Sequence, residues 1–174
     1  MIVFHLGFPN DFIKYIIYCI NIASYNILIN GSVSQFFHVD QGLRQCCPLS
    51  PLLFILVIEC LSGLISSAKR EGRLKGLRMN DLYDLTHLLF VYDVLIFIDS
   101  SIRDSATFHE ILILFEKSTG MIMNQTKSMI TLTHTTPQEV RVAQMYFLYT
   151  PHNLLDGLKY LGFRIKPNSY RVVD

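Results

Sequence analysis

HLLFVYDVLIF, residues 87–97, sits inside two apolar runs, Leu88 to Val91 and Val94 to Ile98. Only Tyr92 and Asp93 part them. So short a break predicts a tight hairpin, buried on both sides, with one carboxylate at its tip. A carboxylate among apolar side chains is costly without a partner, and the usual partner is a cation or a metal. On spacing alone, Asp93 also reads as an ordinary acid in a solvent-facing turn.

Outward from the hairpin, the apolar pattern alternates between helical and strand periods. On the N-terminal side, Ser50 can cap a helix with Pro51 in its first turn. Leu52, Leu53, Leu56, Val57, Cys60, Leu61, Leu64 and Ile65 make one apolar stripe, and Lys69, Arg70 and Gly72 suit its end. Further back, Pro9 to Ala23 reads as a helix with Phe12, Ile13, Ile16, Ile17 and Ile20 on one face. Tyr25, Ile27 and Ile29 alternate as a strand, Asn30-Gly31 signals a hairpin, and Ser32 to Val39 returns. Gln41 to Cys47 reads as a loop. On the C-terminal side, Ser101 to Ser118 is predicted as a helix stopping at Gly120, and Lys127 to Thr133 as a strand. Thr136-Pro137-Gln138-Glu139 is a capping box for a helix to about Leu148. Tyr160 to Ile165 reads as a last strand. Mixed short strands and helices without a βαβ repeat predict an α+β domain.

The 174 residues suffice for one ordinary domain. Apolar residues make up 51% and charged ones 17%, which excludes a disordered chain and suggests a surface meant to be covered. The net charge of +1, from 15 basic and 14 acidic residues, gives no whole-chain field for nucleic acid or membrane. Cys19, Cys46, Cys47 and Cys60 contain no C-x-x-C pair, so reduced thiols in an intracellular compartment are expected. The start, MIVFHLGFPNDFIKY, lacks signal-peptide features. The apolar stretch Leu52 to Ile58 stops at Glu59, short of a membrane span, so no membrane partner is expected. The sequons at Asn30 and Asn124 are read as chance matches.

Two further stretches bear on chemistry. QGLRQCCPLSP, residues 41–51, joins a glycine, Arg44 and Gln45 to a helix start, where free N–H groups can meet an anion or simply be capped. KREGRLKGLR, residues 69–78, packs Lys69, Arg70, Arg73, Lys75 and Arg78 into ten residues. That group could follow a phosphate backbone or form a solvated helix end.

The order of these blocks resembles the reverse transcriptase domain of a non-LTR (LINE-type) retrotransposon, plant-like, from about Gly7 to Phe163. LGFPNDFIKYI and SYNILINGS resemble the connection after the first catalytic motif, and GLRQCCPLSPLLFIL resembles the RQG-x-PLSP-x-LF block, motif B. HLLFVYDVLIF resembles the H-L-x-F-A-D-D hairpin, motif C. STGMIMNQTKS resembles motif D, and KYLGFRI the YLG segment after it. The resemblance implies a partial polymerase palm, an RRM-like antiparallel sheet with packed helices. It implies one domain over 1–165, with 166–174 as a C-terminal tail. It implies RNA template and DNA primer as partners. It also implies two Mg²⁺ ions about 4 Å apart, held by palm carboxylates.

Three departures follow from the same resemblance. Tyr92 stands where the family has its first motif C aspartate, and a phenol is neutral at pH 7. Asp93 matches the second aspartate, leaving it as the expected metal and catalytic position. Cys46 replaces the motif B glycine, whose bareness lets nucleotide and template approach the backbone. Arg44 and Gln45 remain as nucleotide- or template-contacting candidates, and Lys127 as the motif D proton donor. Only six residues precede Gly7 and none is acidic, so the motif A strand and its aspartate are expected to be missing. The chain thus reads as a truncated, inactive copy, each change being reachable by one base substitution. The alternative is a non-catalytic nucleic-acid-binding remnant. Loss of the motif A strand would leave an open apolar sheet edge, predicting self-association.

Overall fold

The computed structural model describes residues 7–22, 24–38, 47–91 and 93–167. Among these residues four α-helices carry the fold: α1 (Asn10–Asn21), α2 (Leu49–Arg70), α3 (Ile102–Thr119) and α4 (Pro137–Phe147). Twelve short strands accompany them. On the N-terminal side of α2 lie β1 (Ser24–Tyr25), β2 (Leu28–Ile29), β3 (Ser32–Val33) and β4 (Phe37–His38). Between α2 and α3 come β5 (Leu77–Arg78), β6 (Asp84–Leu85), β7 (His87–Phe90) and β8 (Asp93–Ile96). After α3 come β9 (Thr131–Leu132), β10 (His152–Asn153), β11 (Leu158–Tyr160) and β12 (Phe163–Ile165). The mixed α+β class expected from the sequence is the observed one.

Helix α2 is the spine. Leu49, Leu53 and Leu56, at helical spacing, pack its first half against Ile13 and Ile16 of α1 and against Phe8. Ile58, Leu61, Ile65 and Ala68 continue the stripe onto Phe108, Ile111 and Phe115 of α3, with Leu74 closing the cluster. Leu89 and Ile96 of the β7–β8 hairpin and Phe147 of α4 pack on its rim. On α1 the buried face is narrower than expected: Ile13 and Ile16 are buried, whereas Phe12, Ile17 and Ile20 are exposed.

Local chemistry sets most element ends. The Ser101 side chain accepts from the Asp104 N–H at the start of α3, and Gly120 ends it with φ 72°. Both bonds of the Thr136–Glu139 capping box are present on α4. The start of α2 differs from expectation: Pro48 occupies the cap position with no side-chain cap bond, and Ser50 falls inside the first turn. The helix does not stop where the apolar run does, at Glu59. The helix continues to 22 residues, and by length and composition alone it is long and apolar enough to cross a membrane, with a mean hydropathy of 2.1. The predicted strand Lys127 to Thr133 shrinks to β9, because Asn124 folds residues 124–128 into a turn. The single strand expected at 160–165 is a hairpin, β11–β12, turning at Leu161-Gly162.

The strands pair two by two, and among the described residues no ladder acquires a third strand. Five pairs are antiparallel and β9–β10 is parallel.

Candidate functional site

The hairpin foreseen at residues 87–97 is present, displaced by one residue. His87–Phe90 pairs with Asp93–Ile96, two residues join the strands, and Asp93 opens β8 opposite Phe90. The register puts His87, Leu89, Val94 and Ile96 on one face and Leu88, Phe90, Asp93 and Leu95 on the other. Leu89 and Ile96 lie against the helical core, so the Asp93 face turns away from it. Leu88, Phe90 and Asp93 are exposed. The expectation of burial on both sides therefore fails: one face packs, and the other is an open apolar surface carrying a single acid.

His87 fastens the hairpin to α2. Its Nε2 lies 2.9 Å from Ser62 Oγ, and its Nδ1 lies 3.0 Å from Thr86 Oγ1. Burial holds this imidazole below its ordinary pKa; Glu59 opposes that shift and Lys69 adds to it. The pairing is extended by Phe97 N–H, which donates to the Thr86 carbonyl at 2.8 Å. Neither Ser62 nor Thr86 stands out in the sequence; only the fold brings them to the ring.

Two other carboxylates near these elements, those of Asp104 and Glu139, are engaged. Asp104, 2% exposed, accepts from the Lys75 N–H at 2.5 Å and from Ser101 Oγ at 3.3 Å. Glu139 accepts from Thr136 and, at 2.8 Å, from Ser100 Oγ, and those bonds hold its carboxyl below the ordinary value. Among the described residues no group of three or more His, Cys, Asp and Glu side chains could hold a metal ion. The described residues do not fit a two-metal centre, because Asp93 stands as a lone acid on its face.

Lys127 sits exposed in a turn built by Asn124. The Asn124 Oδ1 accepts from the N–H groups of Thr126 and Lys127 at 3.0 and 3.2 Å and from Thr126 Oγ1 at 2.8 Å. An Asn three residues ahead of a Lys thus has a local role, an Asx turn that presents the lysine. Lys127 and Asp93 share no ion pair or hydrogen bond among the described residues. Arg44, Gln45, Cys46 and Tyr92 lie outside the described residues.

The basic stretch divides by use. Lys69 Nζ donates to the Asp84 carbonyl and lies 5.2 Å from the centre of the Tyr83 ring. Arg78 stands 3.9 Å from Asp84, and Arg73 is 2.7 Å from Glu71. Arg70 and Lys75 form no salt bridge among the described residues. Arg103, absent from the expected cluster, reaches this turn from α3 and donates to the Gly72 carbonyl at 2.6 Å.

The described residues thus form an α+β domain with a core-anchored hairpin, an Asn-built lysine turn and a basic turn after its spine helix. Comparison with known families makes this specific: residues 3–165 match the family model for reverse transcriptase (RNA-dependent DNA polymerase). The chain belongs to the reverse transcriptase family. It is also similar to an uncharacterized mitochondrial protein of Arabidopsis thaliana, 48% identical over 67 residues, covering 38% of this chain and 55% of that protein. The match thus spans about half of the relative's length.

Proposed function

We propose that this chain is a catalytically silent reverse transcriptase of the non-LTR, LINE type, with residues 1–165 as a partial reverse transcriptase domain and 166–174 as a tail. The observation that carries the silence is Tyr92 in place of the hairpin's first aspartate. Of the two hairpin positions at which the family carries aspartates, only Asp93 then keeps a carboxylate. Polymerisation by two metals requires ions that activate the primer hydroxyl and stabilise the leaving pyrophosphate together, and one carboxylate does not offset the repulsion between two dications. Magnesium would supply that chemistry in an intact family member; here Asp93 is the residue left to contact it. Cys46 in place of a glycine adds a side chain where template and nucleotide would approach. Arg44 and Gln45 keep a nucleotide- or template-contacting role, and Lys127 the place of the pyrophosphate proton donor.

Primer extension on an RNA template, with Mg²⁺ and then Mn²⁺, tests this reading. No template-dependent DNA synthesis above a no-protein control is expected; clear extension would overturn it.

A second reading is favoured by the exposed basic turn: the chain retains binding to an RNA template and DNA primer without copying them. Binding to an RNA–DNA hybrid should then fall steeply with salt. The open apolar face of the β7–β8 hairpin, with Leu88, Phe90 and Val91 exposed, supports self-association as a further property of the isolated chain. The inward stripe of α2 packs in the core and Glu59 interrupts its outer side, which supports reading α2 as a helix of the domain rather than a membrane span.

A further inference from the structure

The turn that follows α2 is fixed from several sides. Gly72 adopts φ 67° and its N–H donates to the Lys69 carbonyl at 2.9 Å. The N–H groups of Arg73 and Leu74 both donate to the Ala68 carbonyl, at 2.9 and 3.3 Å. Leu74, 2% exposed, then plugs into the core. The first turn of α3 grips the same segment with two adjacent residues. Asp104 takes the Lys75 N–H, and Arg103 donates to the Gly72 carbonyl. A basic turn pinned this way loses little conformational entropy on meeting a ligand.

The pinning also gathers charge. Arg73 hydrogen-bonds the Glu71 carboxylate, and Arg70 adds to the field that holds Glu71 below its ordinary value. Arg103 lies on the neighbouring carbonyl. Arg73 on the Glu71 carboxylate and Arg103 on the Gly72 carbonyl thus bring two guanidinium groups to one short turn, and Arg70 stands exposed on the last residue of α2 at its start. The buried Asp104 is occupied by the Lys75 N–H and Ser101. Lys69 and Arg78 are directed instead toward Asp84 on β6.

We propose that Arg70, Arg73 and Arg103 form a preorganised contact for a nucleic-acid phosphodiester backbone, with Arg103 contributed across the α2–α3 boundary. The inference rests on the nucleic-acid-binding reading above and names its residues. Guanidinium forks match phosphate oxygens two at a time, and a rigid turn holds them ready. Arg103 is exposed, and its reach to Gly72 leaves further guanidinium N–H groups for a phosphate.

Fluorescence anisotropy of the full chain with a labelled RNA–DNA hybrid, titrated from about 50 to about 200 mM KCl, tests the proposal. Arg103→Gln should weaken binding and lower the slope of log affinity against log salt by about 0.9, one phosphate contact. Arg103→Lys, which keeps the charge, should keep the wild-type slope. Wild-type affinity and slope in Arg103→Gln would overturn the inference while leaving the binding reading intact. Lost affinity at an unchanged slope, or a lowered slope in Arg103→Lys, would also overturn it. Failure of the wild-type chain to bind at low salt would remove both.

Discussion

Two hairpins in this molecule are held by opposite means. In β2–β3 the turn is made of residues suited to it: Asn30 and Gly31 take φ 48° and 83°, where Asn and Gly are at ease. Its four strand residues are all exposed, so its support is the turn and the ladder that the Ile27–Ser34 bonds and the β1–β4 pair continue. In β7–β8 the turn opens on Val91 at φ 51°, a poor conformation for a β-branched side chain. Its strands are twice as long and are anchored by Leu89, Ile96 and the His87–Ser62 bond. The first hairpin is local in origin. The second is imposed by the core, and its strained corner lies two residues before Asp93.

The largest effect should come from removing the anchor. Ile96→Ala is expected to cost about 2 kcal/mol of stability, the low end for a truncated core isoleucine because the residue is only half-buried. Denaturant unfolding measures it, and a cost near zero would mean that the turn, not the core, holds β7–β8. Next is Gly31→Val, which forces a branched residue to φ 83° and should destabilise the β2–β3 hairpin by about 1–2 kcal/mol. Amide exchange in that hairpin should quicken while the α2–α3 core is unaffected.

The reciprocal change, Val91→Asn, should stabilise the protein by about 1 kcal/mol, since Asn tolerates positive φ and Val91 is 55% exposed. An unchanged unfolding midpoint would refute strain at Val91. The smallest effect concerns acidity. Burial keeps the pKa of His87 below its ordinary value, so the fold favours the neutral ring. Its contribution is complete above the ordinary histidine pKa and is lost as pH falls through the lowered one. Amide protection in β7 should decline over that acidic range, and His87→Gln should abolish the decline.

The legible parts of the fold were those decided by neighbours in sequence. The Asn30-Gly31 turn, the Thr136–Glu139 capping box, the Gly120 stop and the α2 stripe were readable because a few adjacent residues satisfy each one. What escaped reading depends on residues far apart. The hairpin closes one residue earlier than its apolar runs suggest, with the same residues on each face, because Leu89 and Ile96 meet helices far away in the chain. The continuous palm sheet suggested by resemblance does not assemble among the described strands, which pair only two by two. At the candidate site, the turn that carries Lys127 is built by Asn124, whose local role no residue spacing announced. Arg103 was missed because 31 residues separate it from Gly72, and no periodic pattern spans that gap.

A silent site requires that Asp93 lack the company that a pair of dications needs. Titration with Mn²⁺, followed by its paramagnetic resonance signal, addresses this directly in the intact chain. The expected result is weak, non-saturating association that Asp93→Asn barely alters. Saturable micromolar binding of two ions per chain, abolished by Asp93→Asn, would contradict it.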